Sequence, residues 1–177
     1  KAARALGLRS YVHDSNAMPG KSNRLTARWC TGVLVGMPEA VPHFPGSHCA
    51  VVGTPVRDEI RNLPTQAEAR ERLGLPQDKP VVLVTGGSQG ARNLNSLLIE
   101  SAKADPGVHY LVIAGRIDYE RVNGLAGGPP NITVLGFCAD MPAAYAAADG
   151  VIARSGASTL TELSIIGKAC LLVPYPF

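Results

Sequence analysis

Val81-Val82-Leu83-Val84-Thr85, followed by Gly86-Gly87-Ser88-Gln89-Gly90-Ala91, is the stretch that sets the fold class of this chain. Four apolar residues in a row, mostly β-branched and bounded by Pro80 and a glycine pair, predict a short strand buried on both faces. From Ala91 to Lys103 the apolar residues Leu94, Leu97, Leu98 and Ala102 recur at helical spacing, and Pro106-Gly107 stops the run, which predicts a helix over 91–104. Strand, glycine-rich turn and helix N-terminus therefore follow one another. Unpaired N–H groups and the positive end of the helix dipole make such a turn an anion site, and its glycines let a phosphate approach the backbone.

Three chemistries compete for this turn. Glycines at 86, 87 and 90 break the G-x-G-x-x-G spacing of a dinucleotide fingerprint. The turn has no lysine, which excludes a P-loop. Gly86-Gly87-Ser88-Gln89-Gly90 does match G-x-S-x-G, and a strand-to-helix turn is where a nucleophile elbow sits, so Ser88 is a candidate hydrolase nucleophile. Such a triad needs an acid and then a histidine on later strands, and the one histidine after Ser88 is His109, beside the very next strand.

Outward from this stretch, composition narrows the class. With 46% hydrophobic and 18% charged residues among 177, the chain has apolar material for a core and no composition of disorder. No apolar run approaches the length of a membrane-spanning helix. The four cysteines, at 30, 49, 138 and 170, form no C-x-x-C, which argues against a zinc site or disulfide framework and suits reduced, buried thiols in a cytoplasmic protein. The chain begins with Lys1 and ends at Phe177, directly after the apolar run Cys170 to Val173 that predicts another buried strand, so both ends are expected to be cut. Net charge is +3, yet Lys1, Arg4, Arg9, Lys21, Arg24 and Arg28 in the first 30 residues face the single acid Asp14. That excess suits anionic headgroups, a phosphorylated substrate or plain solvation. Only Tyr11 and Trp29 accompany it, so a stacking platform for nucleic acid is not supported.

In chain order, Ser10 to His13 predicts a strand end, and Asp14-Ser15-Asn16-Ala17-Met18-Pro19-Gly20 a polar loop. Ser22 is expected to cap a helix over Asn23 to Thr31, with Leu25 and Trp29 facing inward and Gly32 ending it. Val33-Leu34-Val35 and Ala50-Val51-Val52 predict two further strands. Between them His43 and His48 sit in a surface loop without metal-ligand spacing. A domain boundary falls within residues 53–58, then helical pieces over Asp58 to Leu63 and Thr65 to Leu73. Beyond residue 80, strands at 81–85, 110–114, 132–135, 150–153 and 170–173 alternate with helices at 91–104, around 119–122, at 141–148 and at 159–166. Apolar, non-alternating strands interleaved with helices imply an α/β parallel sheet covered on both faces.

A second glycine-bearing turn, Arg154-Ser155-Gly156-Ala157-Ser158-Thr159, follows the strand at 150–153 and opens a helix. Two such turns in one sheet suggest a nucleotide with its diphosphate. Thr159 and Glu162 also fit a capping box, while a carboxylate at Glu162 could instead accept bonds from ribose hydroxyls. Between the turns, backbone in Phe137-Cys138-Ala139-Asp140-Met141 could read a base edge, and Asp140 could simply cap its helix.

With these pieces in place the chain resembles the bacterial MurG family, which transfers N-acetylglucosamine from UDP to a lipid-linked muramoyl-peptide. The resemblance rests on His13-Asp14-Ser15-Asn16, Gly53-Thr54-Pro55-Val56-Arg57, Gly86 to Arg92, Phe137 with Asp140-Met141, Arg154-Ser155-Gly156-Ala157, and Thr159 with Glu162, in order over nearly the whole chain. It implies a GT-B glycosyltransferase of two Rossmann-like domains. Residues 1–57 would be the C-terminal part of the acceptor, membrane-side domain and 58–177 most of the UDP-sugar donor domain. It further implies donor contacts from Arg57, Ser88, Gln89, Cys138 (through its backbone), Met141, Ser155, Gly156, Thr159 and Glu162, with Asn16 lining the cleft towards the acceptor. The implied partners are UDP-GlcNAc, undecaprenyl-pyrophosphoryl-MurNAc-pentapeptide and an anionic membrane surface, without nucleic acid. UDP-GlcNAc enters as substrate, with no cofactor and no protein-bound metal. The implied place is the cytoplasmic side of the membrane, in peptidoglycan biosynthesis.

Three departures from the family pattern stand out. Ala139 replaces one of two acids before the methionine position, and Asp14 and Ser15 stand where glutamate and glutamine are common. The family's glycine-rich loop with its general-base histidine would precede Lys1, and a sugar-recognising glutamine segment would follow Phe177, so residues 1–177 alone are expected to lack turnover. A UDP-sugar transferase with another lipid acceptor, a UDP-binding subunit of a split transferase, and a hydrolase using Ser88 remain alternatives.

Overall fold

A computed structural model of the chain describes residues 1–86, 91–127 and 130–174. The chain divides into two compact units, residues 1–56 together with 156–161, and residues 57–155 together with 162–177. In the first, α1 (Ala2–Ala5), β1 (Tyr11–Asp14), α2 (Lys21–Ala27), β2 (Gly32–Val35), a 3-10 turn over Pro38–His43 and β3 (Cys49–Val51) follow in order. The strands form a parallel sheet β1-β2-β3, with Tyr11 opposite Gly32 and Val33 opposite Cys49. Val33 and Val35 pack with Ala27, Ala40 and Phe44 in its core.

The second unit begins with a 3-10 turn over Asp58–Arg61. It continues through α3 (Gln66–Leu73), β4 (Val81–Thr85), α4 (Arg92–Ala104), β5 (His109–Ile113), α5 (Tyr119–Ala126), β6 (Ile132–Leu135), α6 (Met141–Ala147), β7 (Gly150–Arg154), α7 (Ala157–Ile166, of which residues 157–161 group with the first unit) and β8 (Cys170–Val173). All five strands are parallel in the order β6-β5-β4-β7-β8. Strand pleating sends Val81 and Leu83 into a core with Leu111, Ile113 and the alanines of α6. Val84 faces the opposite core, with Val112, Leu94, Leu98, Ile99 and Val122. Burial on both faces is why β4 needs an unbroken apolar run. Helix ends are closed by local chemistry. Thr65 and Glu68 form a reciprocal capping box at α3, and Gly74 ends that helix at φ +64, a left-handed conformation that suits glycine. Asn131, 3% exposed, donates to the carbonyls of Ala102, Asp105 and Val108 and so closes the C-terminus of α4.

Strand order also places the crevice. The chain runs outward from β4 through β5 to β6, then returns so that β7 pairs with the other side of β4. Ligands of open parallel sheets bind beyond the carboxyl ends of the strands at such a reversal. The two strands meeting there are those followed by the two glycine-bearing turns.

Several expectations are corrected. The helix expected over 23–31 is α2, Lys21–Ala27, with Gly20 at its N-cap, and the Ser22 side chain makes no cap bond. Leu25 is 53% exposed rather than inward, because the inner face of α2 presents Asn23, bonded to Asp14, and Ala27. Trp29 lies beyond the helix and Gly32 opens β2 instead of ending α2. Thr159 and Glu162 form no capping box, since α7 starts at Ala157 and Thr159 lies inside it. The run 170–173 is an edge strand whose Cys170, Leu171 and Leu172 are exposed, and of the four free cysteines only Cys138 is buried.

Candidate functional site

The carboxylate of Glu162 in α7 is the centre of the candidate site. Its Oε2 accepts a 2.8 Å hydrogen bond from the hydroxyl of Tyr145, and its Oε1 lies 3.9 Å from Nη2 of Arg57. Tyr145 is 1% exposed, whereas the Arg57 side chain is half exposed. Burial, then the bond to Glu162, pushes the Tyr145 hydroxyl well above its ordinary value, so it stays protonated and donates. Arg57, immediately before the 3-10 turn at 58–61, keeps an ion-pair distance from Glu162 and leaves the carboxylate's other acceptor positions open.

The segment between β6 and α6 is held from several sides. A side chain at Gly136 would come within 3.2 Å of the Tyr119 ring, so the backbone passes close against that ring. The Cys138 thiol donates to the Asp140 carbonyl at 3.3 Å, and burial pushes its pKa up. Asp140 caps α6 by accepting from the Ala143 N–H at 3.0 Å, as expected, and Met141 opens that helix. Among the described residues, the Cys138 N–H and C=O make no intramolecular hydrogen bond, which leaves both for a ligand edge. Next to them the Arg116 guanidinium stacks 4.7 Å over the exposed Phe137 ring. Arg57, Asn62, Arg72, Ala139, Asp140 and Pro142 line a pocket of ≈ 440 Å³ in the same unit. Across it Arg72 and Asp140 approach to 4.0 Å, a surface pair of little energetic weight.

Of the remaining sequence candidates, Ser155 and Gly156 are exposed directly before α7 and Thr159 is half-buried in its first turn. Ser88 and Gln89 lie outside the described residues. Asn16 belongs to the first unit, where its backbone N–H and side-chain amide both donate to Oδ1 of Asp14. Gly20 N–H and Asn23 Nδ2 reach Oδ2. The 14–23 loop is thus wrapped around a carboxylate that is 3% exposed. Burial by itself would raise the Asp14 pKa, and the bonds from Asn16, Asn23 and Gly20 outweigh it and hold the carboxyl below its ordinary value. This stabilisation is complete above the ordinary aspartate value near 3.8 and is lost as pH falls through the lower folded value. Asp14→Ala is expected to cost about 2 kcal/mol at neutral pH by removing the buried acceptor of the part-buried hydrogen bonds from Asn16, Gly20 and Asn23. In urea titrations the gap to wild type should close on acidification, and an unchanged gap would count against the Asp14 network.

Tyr145 was not among the sequence candidates. Its one signal is a polar-tipped aromatic within the alanine run Met141-Pro142-Ala143-Ala144-Tyr145-Ala146-Ala147. The described residues hold no cluster of three or more His, Cys, Asp or Glu side chains suited to a metal, and no helix among them is long and apolar enough to cross a membrane.

Residues 81–177 match the sequence model of the glycosyltransferase family 28 C-terminal domain. The chain belongs to glycosyltransferase family 28. The same family-28 sequence is 39% identical over 187 residues to the UDP-N-acetylglucosamine--N-acetylmuramyl-(pentapeptide) pyrophosphoryl-undecaprenol N-acetylglucosamine transferase of Desulforudis audaxviator, covering 99% of this chain and 50% of that protein. Among solved structures, Acinetobacter baumannii MurG superposes with a TM-score of 0.67 at 34% identity, covering 99% of this chain and 48% of that one. Anabaena HepE in complex with UDP and glucose gives 0.68 at 19% identity, over 97% of this chain and 54% of that one, and speaks for the fold alone. This family-28 chain spans about half the length of the curated relatives it matches. Its parallel α/β sheets are those of the GT-B glycosyltransferases.

Proposed function

We propose that this chain carries the donor-binding part of an inverting glycosyltransferase that moves N-acetylglucosamine from UDP-GlcNAc to undecaprenyl-pyrophosphoryl-MurNAc-pentapeptide in peptidoglycan synthesis. The observation that carries the proposal is the similarity to curated transferases of that activity along 99% of the chain. Residues 58–177 form the UDP-sugar domain and 1–57 the end of the acceptor domain. Glu162 accepts the ribose hydroxyls and the free Cys138 backbone reads the uracil edge, with Met141 beside it. Ser155, Gly156 and Thr159, together with Ser88 and Gln89, take the diphosphate, and Arg57 lies towards the donor sugar. Asn16 lines the acceptor side.

In the reaction the acceptor hydroxyl oxygen bonds to the anomeric carbon on the face opposite UDP, and the bond to the diphosphate oxygen breaks. Negative charge grows on the leaving diphosphate. On this reading, hydroxyls at Ser155 and Thr159 and the N–H groups at the start of α7 stabilise it. A calorimetric titration of UDP, then UMP, into the chain tests the donor assignment. UDP should bind more tightly than UMP, and a folded chain that takes up neither would overturn it.

A membrane-facing role for the first unit is the second part of the proposal. Lys21, Arg24, Arg28 and His43 line a groove of ≈ 410 Å³ together with Leu25 and Phe44. Lys21, Arg24 and Arg28 pair with no carboxylate among the described residues. Anionic headgroups would supply the missing charge. Reversing Arg24 and Arg28 to glutamate should weaken binding to vesicles containing anionic phospholipid by at least about tenfold. Unchanged binding would mean the face is only solvated.

A further inference from the structure

Glu162 is held by a residue on another helix, and this has a consequence for how a nucleotide would be recognised. Tyr145 is the one residue of α6 with a polar tip, and alanines on both sides bring that helix close against its neighbours. The ring is buried at 1% exposure, so its two torsions are fixed by packing and its hydroxyl points at one oxygen of Glu162, 2.8 Å away. The Glu162 side chain is 14% exposed, which leaves one edge of the carboxylate open to a ligand. A glutamate has three side-chain torsions, and an unrestrained one would present its oxygens in many directions.

We infer that Tyr145 is a positioning residue for the nucleotide: by holding one Glu162 oxygen, it aims the carboxylate's remaining acceptor positions at a vicinal pair of ribose hydroxyls. This rests on the assignment of Glu162 to the ribose made above. A carboxylate offers about four acceptor positions. Tyr145 occupies one, and Arg57 at 3.9 Å adds charge without a hydrogen bond, so about three remain, enough for two hydroxyls. Selectivity for a ribonucleotide over its 2′-deoxy counterpart then depends on Tyr145, although the tyrosine itself touches no ligand.

The test is a calorimetric comparison of UDP with 2′-deoxy-UDP on the wild-type chain, Tyr145→Phe, Glu162→Ala and the double variant. Wild type should favour UDP. Tyr145→Phe keeps the ring and should lose roughly tenfold in UDP affinity, with little change for 2′-deoxy-UDP, so that the preference collapses. A purely structural role would weaken both ligands alike, and a Tyr145→Phe chain that retains the wild-type preference would overturn the inference. The double variant provides a second measure, free of any unpaired buried carboxylate. Its loss should match that of Glu162→Ala alone, whereas additive losses would show that Tyr145 does not act through Glu162. Failure of the wild-type chain to bind UDP at all would instead sink the donor assignment itself.

Discussion

Glu162→Ala is expected to weaken UDP binding by roughly thirty- to hundredfold on the donor assignment proposed above. A carboxylate that accepts two ribose hydroxyls makes two charge-assisted hydrogen bonds, each contributing about 1.5–3 kcal/mol. Water entering the vacated space restores part of that, leaving a net loss of about 2–2.7 kcal/mol. The substitution also strands the Tyr145 hydroxyl, which is buried and has Glu162 as its hydrogen-bond partner. A modest fall in thermal midpoint should therefore accompany the loss of affinity. Glu162→Gln, which keeps one acceptor oxygen, should lose less. Calorimetry on the three chains decides the matter, and a Glu162→Ala chain that binds UDP like wild type would remove Glu162 from the nucleotide site.

Arg70→Leu is expected to destabilise the second unit by about 3 kcal/mol. The Arg70 side chain is 6% exposed and joins three elements at once. Its Nε donates to the Ala147 carbonyl at the end of α6 at 3.0 Å, its Nη1 to the Gln77 carbonyl at 3.2 Å, and its Nη2 to Oδ2 of Asp149 at 2.7 Å. Asp149 in turn accepts from the Val81 N–H at 2.7 Å and from Gln66 at 3.0 Å, tying the start of β4 to α3. Leucine fills much of the volume but cannot donate. Gln77 is exposed and its carbonyl can turn to water, whereas Ala147 is fully buried and its carbonyl stays unpaired.

The same network makes a pH prediction. Burial would raise the Asp149 pKa, and the bonds from Val81 and Gln66 with the charges of Arg70 and Lys168 outweigh it and hold the carboxyl below its ordinary value. Its contribution is therefore complete above about 3.8 and lost as pH falls through the folded value. Removing Arg70 removes one of the lowering influences, so the variant should lose less stability than wild type between neutral pH and about pH 3. Urea unfolding followed by circular dichroism measures both effects, and a neutral-pH difference below about 1 kcal/mol would show that the network contributes little.

Much of this unit is legible in the sequence. Strands 132–135 and 170–173 carry the same bounds in sequence and structure, and β4 is the apolar run 81–85 itself. Burial on both faces of a parallel sheet demands such runs, and the glycines and prolines that interrupt them are local signals. The start of α2 departs from its local signals for the opposite reason. Local propensity favoured Ser22 as a cap, but bonds from Gly20 and Asn23 to the buried Asp14 begin the helix earlier and turn its polar side inward. Likewise the threonine and glutamate at 159 and 162 have capping-box spacing, yet the box that forms is at Thr65 and Glu68. Spacing alone does not say where a helix starts.

By itself, then, the sequence determined the alternation of strand and helix, the parallel sheet and the two glycine-bearing turns, because each is written within a window of a few residues. Only the tertiary structure decided what surrounds Glu162. Tyr145 is 17 residues away from it, and Arg70 reaches Asp149 across 79 residues. Hydrogen bonds of that span leave no periodicity in the chain. They exist because sheet order brings α3, α6 and the neighbourhood of β7 together, and that order depends on how the whole core is buried rather than on any one stretch.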